Sequence, residues 1–118
     1  MVIKNKTFQD DRLFTQIEQN AIDHALAGRW QEAVKVNLEG SAIYPNNIGC
    51  HNRLAKAYLE LGKYKQARAS IKRALAIDPG SRVARRQSDR LSELDDPGIS
   101  RRTFGSSTIS PALFISDP

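Results

Sequence analysis

Three side chains carry groups suited to acid–base, nucleophilic or metal chemistry near neutral pH: His24, Cys50 and His51. Cys50 and His51 are adjacent, which puts a thiol beside a possible base. On a helix, however, neighbouring side chains point about 100° apart, so the two make a poor dyad. Cys50 is the single cysteine; it cannot form an intramolecular disulfide, and no metal-ligand spacing surrounds it. It is expected to be a small buried hydrophobe. Both histidines fall at core-facing places and are expected to be partly buried and structural. The segment LGKYK, residues 61–65, places a lysine after a glycine but lacks the second glycine and the Ser/Thr of a phosphate-binding loop. There is no HExxH, CxxC or G-x-S-x-G. Trp30 and Tyr64 are expected to be helix-packing aromatics rather than base-stacking platforms. No catalytic residue, cofactor site or metal site is therefore expected, and the chain is not expected to be an enzyme.

The elements that would hold these residues repeat. The stretch from His24 to Asn47 returns 34 residues later as Tyr58 to Ser81. Gly28 falls on Gly62, Trp30 on Tyr64, Ala33 on Ala67, Ala42 on Ala76 and Pro45 on Pro79. A period of this size belongs to a whole fold. Asp10 and Asp11 are N-cap candidates ahead of Leu13, Phe14, Ile17 and Ala21 at helical spacing, which predicts a first helix over about 11–27 after a lead-in of residues 1–10. Gly28 ends it. A second helix is predicted over about 30–44, with Ala33, Val34, Val36, Leu38 and Ile43 as its apolar set. Pro45 stops it, and Asn46 and Asn47 turn and cap the next. Helices are then predicted over 48–61 and 64–77, separated by Gly62. Ser81 is placed to cap a fifth over 82–94. From residue 95 the chain is rich in Gly, Ser and Pro and reads as a flexible tail, interrupted by the SPALFI segment at 110–115. That segment is open to three readings: inert, folded back on the helices, or docked on a partner. The predicted fold is all-α.

Composition agrees with one soluble domain: 118 residues, 40% hydrophobic and 26% charged. No apolar run is long enough to span a membrane. The N-terminus shows no apolar signal region, so cytoplasmic residence is the expectation. The net charge of +5 is unevenly spread. Residues 48–90 hold 11 Lys/Arg against 3 Asp/Glu, a net of +8. Such an excess marks a surface for acidic partners.

The second unit, LAKAYLELGKYKQARASIKRALAIDP, resembles the tetratricopeptide repeat (TPR) family. Leu54, Tyr58, Gly62, Tyr64, Ala67, Ala74 and Pro79 stand where the family's 34-residue pattern has leucine, tyrosine, glycine, an aromatic, two alanines and proline. The resemblance implies two helix–turn–helix repeats, at about 14–47 and 48–81, and a capping helix at 82–94, forming an α–α superhelix. In layout the chain is similar to small bacterial members of the family. The first repeat departs from the pattern: Asn20 replaces leucine, Asn37 a large apolar residue and Gly40 an alanine. Looser packing is expected there. Two repeats also fall short of the roughly three that a stable stack wants, so homodimerisation, with Tyr44 among the apolar contacts, or help from the tail is expected.

Members of the family are mostly peptide-binding scaffolds, and the first helix of each repeat lines their concave face. Carried onto this chain, the partner-binding residues are Glu18, Ile22, Asn52, Lys56 and Leu59, with Arg53 at the edge and Arg86 and Arg90 from the cap. Asn52, Lys56 and Leu59 share one helix face. The positions of the family's carboxylate clamp hold Glu18, Ile22, Arg53, Val83 and Gln87, none of them the clamp residue, so no standard chaperone-tail clamp is expected. The expected function is a protein–protein interaction scaffold for an acidic peptide or protein. The alternative is a basic nucleic-acid- or ribosome-associated accessory protein using Lys65, Arg68 and Lys72, which recur along one face of the fourth helix. The lack of interleaved exposed aromatics disfavours single-stranded RNA.

Overall fold

The computed structural model describes residues 2–95, all helix and turn. The SPALFI segment and the rest of 96–118 lie outside the described residues. Five helices follow in order: α1 (Val2–Leu26), α2 (Trp30–Ile43), α3 (Ile48–Glu60), α4 (Tyr64–Ile77) and α5 (Arg82–Leu94). α1 begins well before the expected start, so Asp10 and Asp11 lie inside it instead of capping it. The preceding residues contain no glycine or proline to break the helix. The expected caps at Asn47 and Ser81 do form. Asn47 Oδ1 accepts from the Cys50 N–H at 3.1 Å, and Ser81 Oγ accepts from the Ala84 N–H at 3.2 Å.

The 34-residue period is written into the hydrogen bonds. The Arg29 N–H donates to the His24 carbonyl and the Lys63 N–H to the Tyr58 carbonyl, both at 2.8 Å. Gly28 and Gly62 donate to Ala25 and Leu59 at 3.0 and 3.1 Å. Each pair is a Schellman closure, in which the residue after the helix must take a left-handed backbone. Gly28 and Gly62 do so, with φ of 74° and 73°. The following helices open alike, with Ala33 donating to the Arg29 carbonyl and Ala67 to that of Lys63.

Contacts divide the chain into two compact units, Met1–Gln87 and Ser88–Pro118. Within the first unit, α1 packs on α2, α2 on α3, α3 on α4, and α1 also reaches α3. The core is built of small residues. Ala21, Ala33, Cys50, Ala55, Ala57, Ala67, Ala74 and Ala84 are all essentially inaccessible, with Leu54, Leu59 and Ile71 beside them. Ala67 and Ala74 lie two turns apart on one face of α4, and the absence of bulk there lets α3 approach. Leu38 and Ile43, expected in the apolar set of α2, are instead 47% and 49% exposed.

At Gly40 and Asn37, two of the departures from the family pattern, the first repeat is closely packed. A Cβ at Gly40 would stand 2.9 Å from Cys50 Sγ and 3.1 Å from Ile17 Cγ2, so the glycine's missing methyl is occupied by its neighbours. Asn37 is fully buried and bonded on both sides of its amide. Nδ2 donates to the Ala33 carbonyl at 2.8 Å and Oδ1 accepts from Arg53 Nε at 2.9 Å. Tyr44, expected as a dimer contact, stands edge-on to Phe14 within the chain, with ring centroids 5.3 Å apart.

Candidate functional site

The face formed by α1, α3 and the first half of α5 holds most of the expected partner-binding residues. Glu18 and Ile22 come from α1, Asn52, Arg53 and Lys56 from α3, and Arg86 from α5. α3 runs antiparallel to α2, so successive turns of α3 meet α2 in reverse order. Cys50 meets Gly40, Arg53 meets Asn37, and Lys56 reaches Trp30.

Arg53 is therefore not an edge residue. Its guanidinium is divided among Asn37 Oδ1, Glu18 Oε2 at 3.4 Å and, more weakly, Cys50 Sγ at 3.8 Å. Gly49, one turn earlier, leaves the space this side chain crosses: a Cβ there would lie 3.2 Å from Nη1. One cation thus ties α1, α2 and α3 together. Burial pushes the Cys50 thiol above its ordinary value, and the nearby Arg53 charge only partly opposes this.

Leu59 corrects the expected lining. It is 3% exposed and packs in the core, because its position on α3 turns inward next to the turn closed by Gly62. Lys56 remains accessible, but its Nζ is 3.0 Å from Glu60 Oε2 and 5.8 Å from the Trp30 ring centroid. Ile22 and Arg86 are exposed. Arg90 is half-buried and lies in the second compact unit.

Asn52 and Gln87 give this face its polarity. Gln87 Nε2 donates to the Asn52 backbone carbonyl at 3.1 Å. The side-chain oxygens of both residues, Asn52 Oδ1 and Gln87 Oε1, are buried and accept no hydrogen bond. Buried acceptors are normally satisfied, so two of them on neighbouring helices mark a place short of donors. The sequence places Asn52 among the partner-binding residues and Gln87 only at a clamp position that it does not fill as the clamp does.

Neither histidine is set up for catalysis. His51 is 3% exposed and its Nε2–H donates to the Pro45 carbonyl at 2.8 Å, tying α3 to the turn before it. His24 Nδ1 accepts from Arg29 Nε at 2.9 Å. Among the described residues, no three His, Cys, Asp or Glu side chains gather as a metal set. No helix among them is long and apolar enough to cross a membrane.

No curated protein and no solved structure matches the chain. The tetratricopeptide repeat profile matches residues 24–88, more than half of the sequence, and spans both Gly-closed hairpins and the start of α5. With the duplicated hydrogen bonds and the small-residue core, that match makes the chain a member of the tetratricopeptide repeat family, whose members serve in general as non-enzymatic protein-interaction modules.

Proposed function

We propose that this protein is a small cytoplasmic scaffold that binds a peptide or protein segment, acidic in its side chains, across the face of α1, α3 and the start of α5. The observation that carries the reading is the pair of buried, unpartnered acceptors, Asn52 Oδ1 and Gln87 Oε1. An extended peptide brings backbone N–H donors, which these amides accept once their side chains turn outward, since both oxygens are closed to solvent as they stand. A carboxylate would be repelled by them, so acidic side chains go to Arg86 and Lys56 alongside, as charge-assisted bonds. Arg53 plays no direct part in this reading, since Asn37 and Glu18 hold it. It keeps α1 and α3 in register beneath the ligand.

The test is affinity capture from native cytoplasm, with and without nuclease, comparing wild type with a Lys56→Glu, Arg86→Glu variant. Defined proteins that survive nuclease and disappear with the variant support the scaffold. Material lost on nuclease treatment transfers the function to Lys65, Arg68 and Lys72 and to the nucleic-acid alternative. Salt gives a second discrimination. Phosphate binding falls steeply with added salt through counterion release, whereas a peptide held largely by backbone hydrogen bonds declines gently.

A further inference from the structure

The opposite side of the first unit carries a separate cavity of about 260 Å³. α2 and α4 form its walls and α3 its floor. Leu38 lines it from α2 and Ala69, Ser70 and Arg73 from α4, with Leu54 and Tyr58 of α3 between them. Leu38 explains why the groove calls for an occupant. It is a large apolar side chain, 47% exposed, on a hollow of mixed character in which Leu54, Tyr58 and Ala69 supply apolar surface and Ser41, His51 and Gln66 polar surface. No lining residue is acidic, and Arg73 is exposed with no ion pair or hydrogen bond among the described residues. Lys65 and Lys72 stand four before and three after Ala69, on its face of α4, and extend the positive margin.

We infer that the α2–α4 groove is a second docking surface, which takes a leucine- or phenylalanine-sized side chain of an acidic partner segment while Arg73 pairs with a carboxylate next to it. The hollow supplies burial for one apolar anchor, the arrangement that concentrates binding energy in a few residues. The unopposed cations supply its charge preference. This surface shares no residue with the Asn52–Gln87 face, and the inference does not depend on that reading.

A random-peptide display library selected on the immobilised full-length chain tests it. Enriched peptides are expected to combine a large apolar residue with Asp or Glu. Their binding is expected to weaken by about tenfold or more for Ala69→Trp, which fills the hollow, and for Arg73→Glu. It should be unchanged for Arg82→Glu, an exposed cation outside both surfaces. Ala69 and Arg73 are both exposed on α4, and circular dichroism is the check that the variants fold. The inference is overturned if no peptide is enriched or if enriched peptides lack acidic residues. It is equally overturned if binding is lost only with Arg86→Glu, or if Ala69→Trp turns a dimer into a monomer by light scattering. That last result would make a second copy of this chain the occupant.

Discussion

Gly40 and Cys50 share one space: a methyl on the first would come within 2.9 Å of the sulfur of the second. One period later the same pair reads Ala74 and Ala84, both inaccessible to solvent. The methyl that α2 lacks is returned by the larger side chain of α3. Departure from the family pattern at Gly40 is thus half of a compensated exchange.

Gly40→Ala should therefore destabilise the protein by about 1–3 kcal/mol through overpacking. Intrinsic helix preference alone would predict a gain of roughly 0.5–1 kcal/mol. The double variant Gly40→Ala, Cys50→Ala should recover most of the loss. Urea unfolding of the three proteins decides it, and a Gly40→Ala protein more stable than wild type would refute the shared space.

Arg53→Ala should cost about 1–3 kcal/mol, because it leaves Asn37 Oδ1 buried without a donor. Replacing both residues, as in Asn37→Leu, Arg53→Leu, should cost less than the sum of the two single changes. Glu18→Gln should change stability by no more than about 1 kcal/mol, since that partner's side chain is 38% exposed to solvent. A double-mutant cycle in denaturant measures the coupling, and strict additivity would deny the bond a structural role.

The Cys50 thiol should react slowly with a disulfide reagent in the native state and quickly once unfolded. Its folded pKa is raised, so the thiol form is favoured by folding. The stability this gives is fully present below the ordinary value of 9.0 and is lost as pH rises through the higher folded value. Cys50→Ala should flatten the decline in stability above that pH. An identical alkaline slope in the variant would assign the loss to other groups.

Asn52→Leu should leave stability unchanged or raise it by up to about 1 kcal/mol, since it removes an unsatisfied buried acceptor. The same change should weaken capture of the partner. A thermal melt beside a binding measurement tests both halves. A large loss of stability would show that the oxygen is satisfied in solution and is no binding group.

Most of the architecture was legible because it rests on local rules that recur. Gly62 before Tyr64, the alanines at 67 and 74 and the caps at Asn47 and Ser81 each act within a turn or two. The start of α1 was missed because two good caps, Asp10 and Asp11, do not oblige a helix to begin. Arg53, Leu59 and Leu38 were misplaced for another reason. Whether a long side chain on α3 turns to a groove or to a neighbour depends on what α2 offers, and Asn37 offers a buried acceptor sixteen residues away. Periodicity carries no information about that choice. The α2–α4 hollow was invisible for the same cause, since Leu38 sat in a helical pattern that read simply as core.

The two hairpin junctions are interchangeable in their hydrogen bonds, as tandem copying of residues 48–81 to lengthen the protein would require. The interfaces forbid it as the sequence stands. A duplicate inserted after Ser81 would be capped correctly by that serine, but its copy of Cys50 would arrive against Ala74, where a methyl already stands. Growth by duplication would have to trade that cysteine for alanine in the same event, so glycine and cysteine act as a matched key that fixes which unit can follow which.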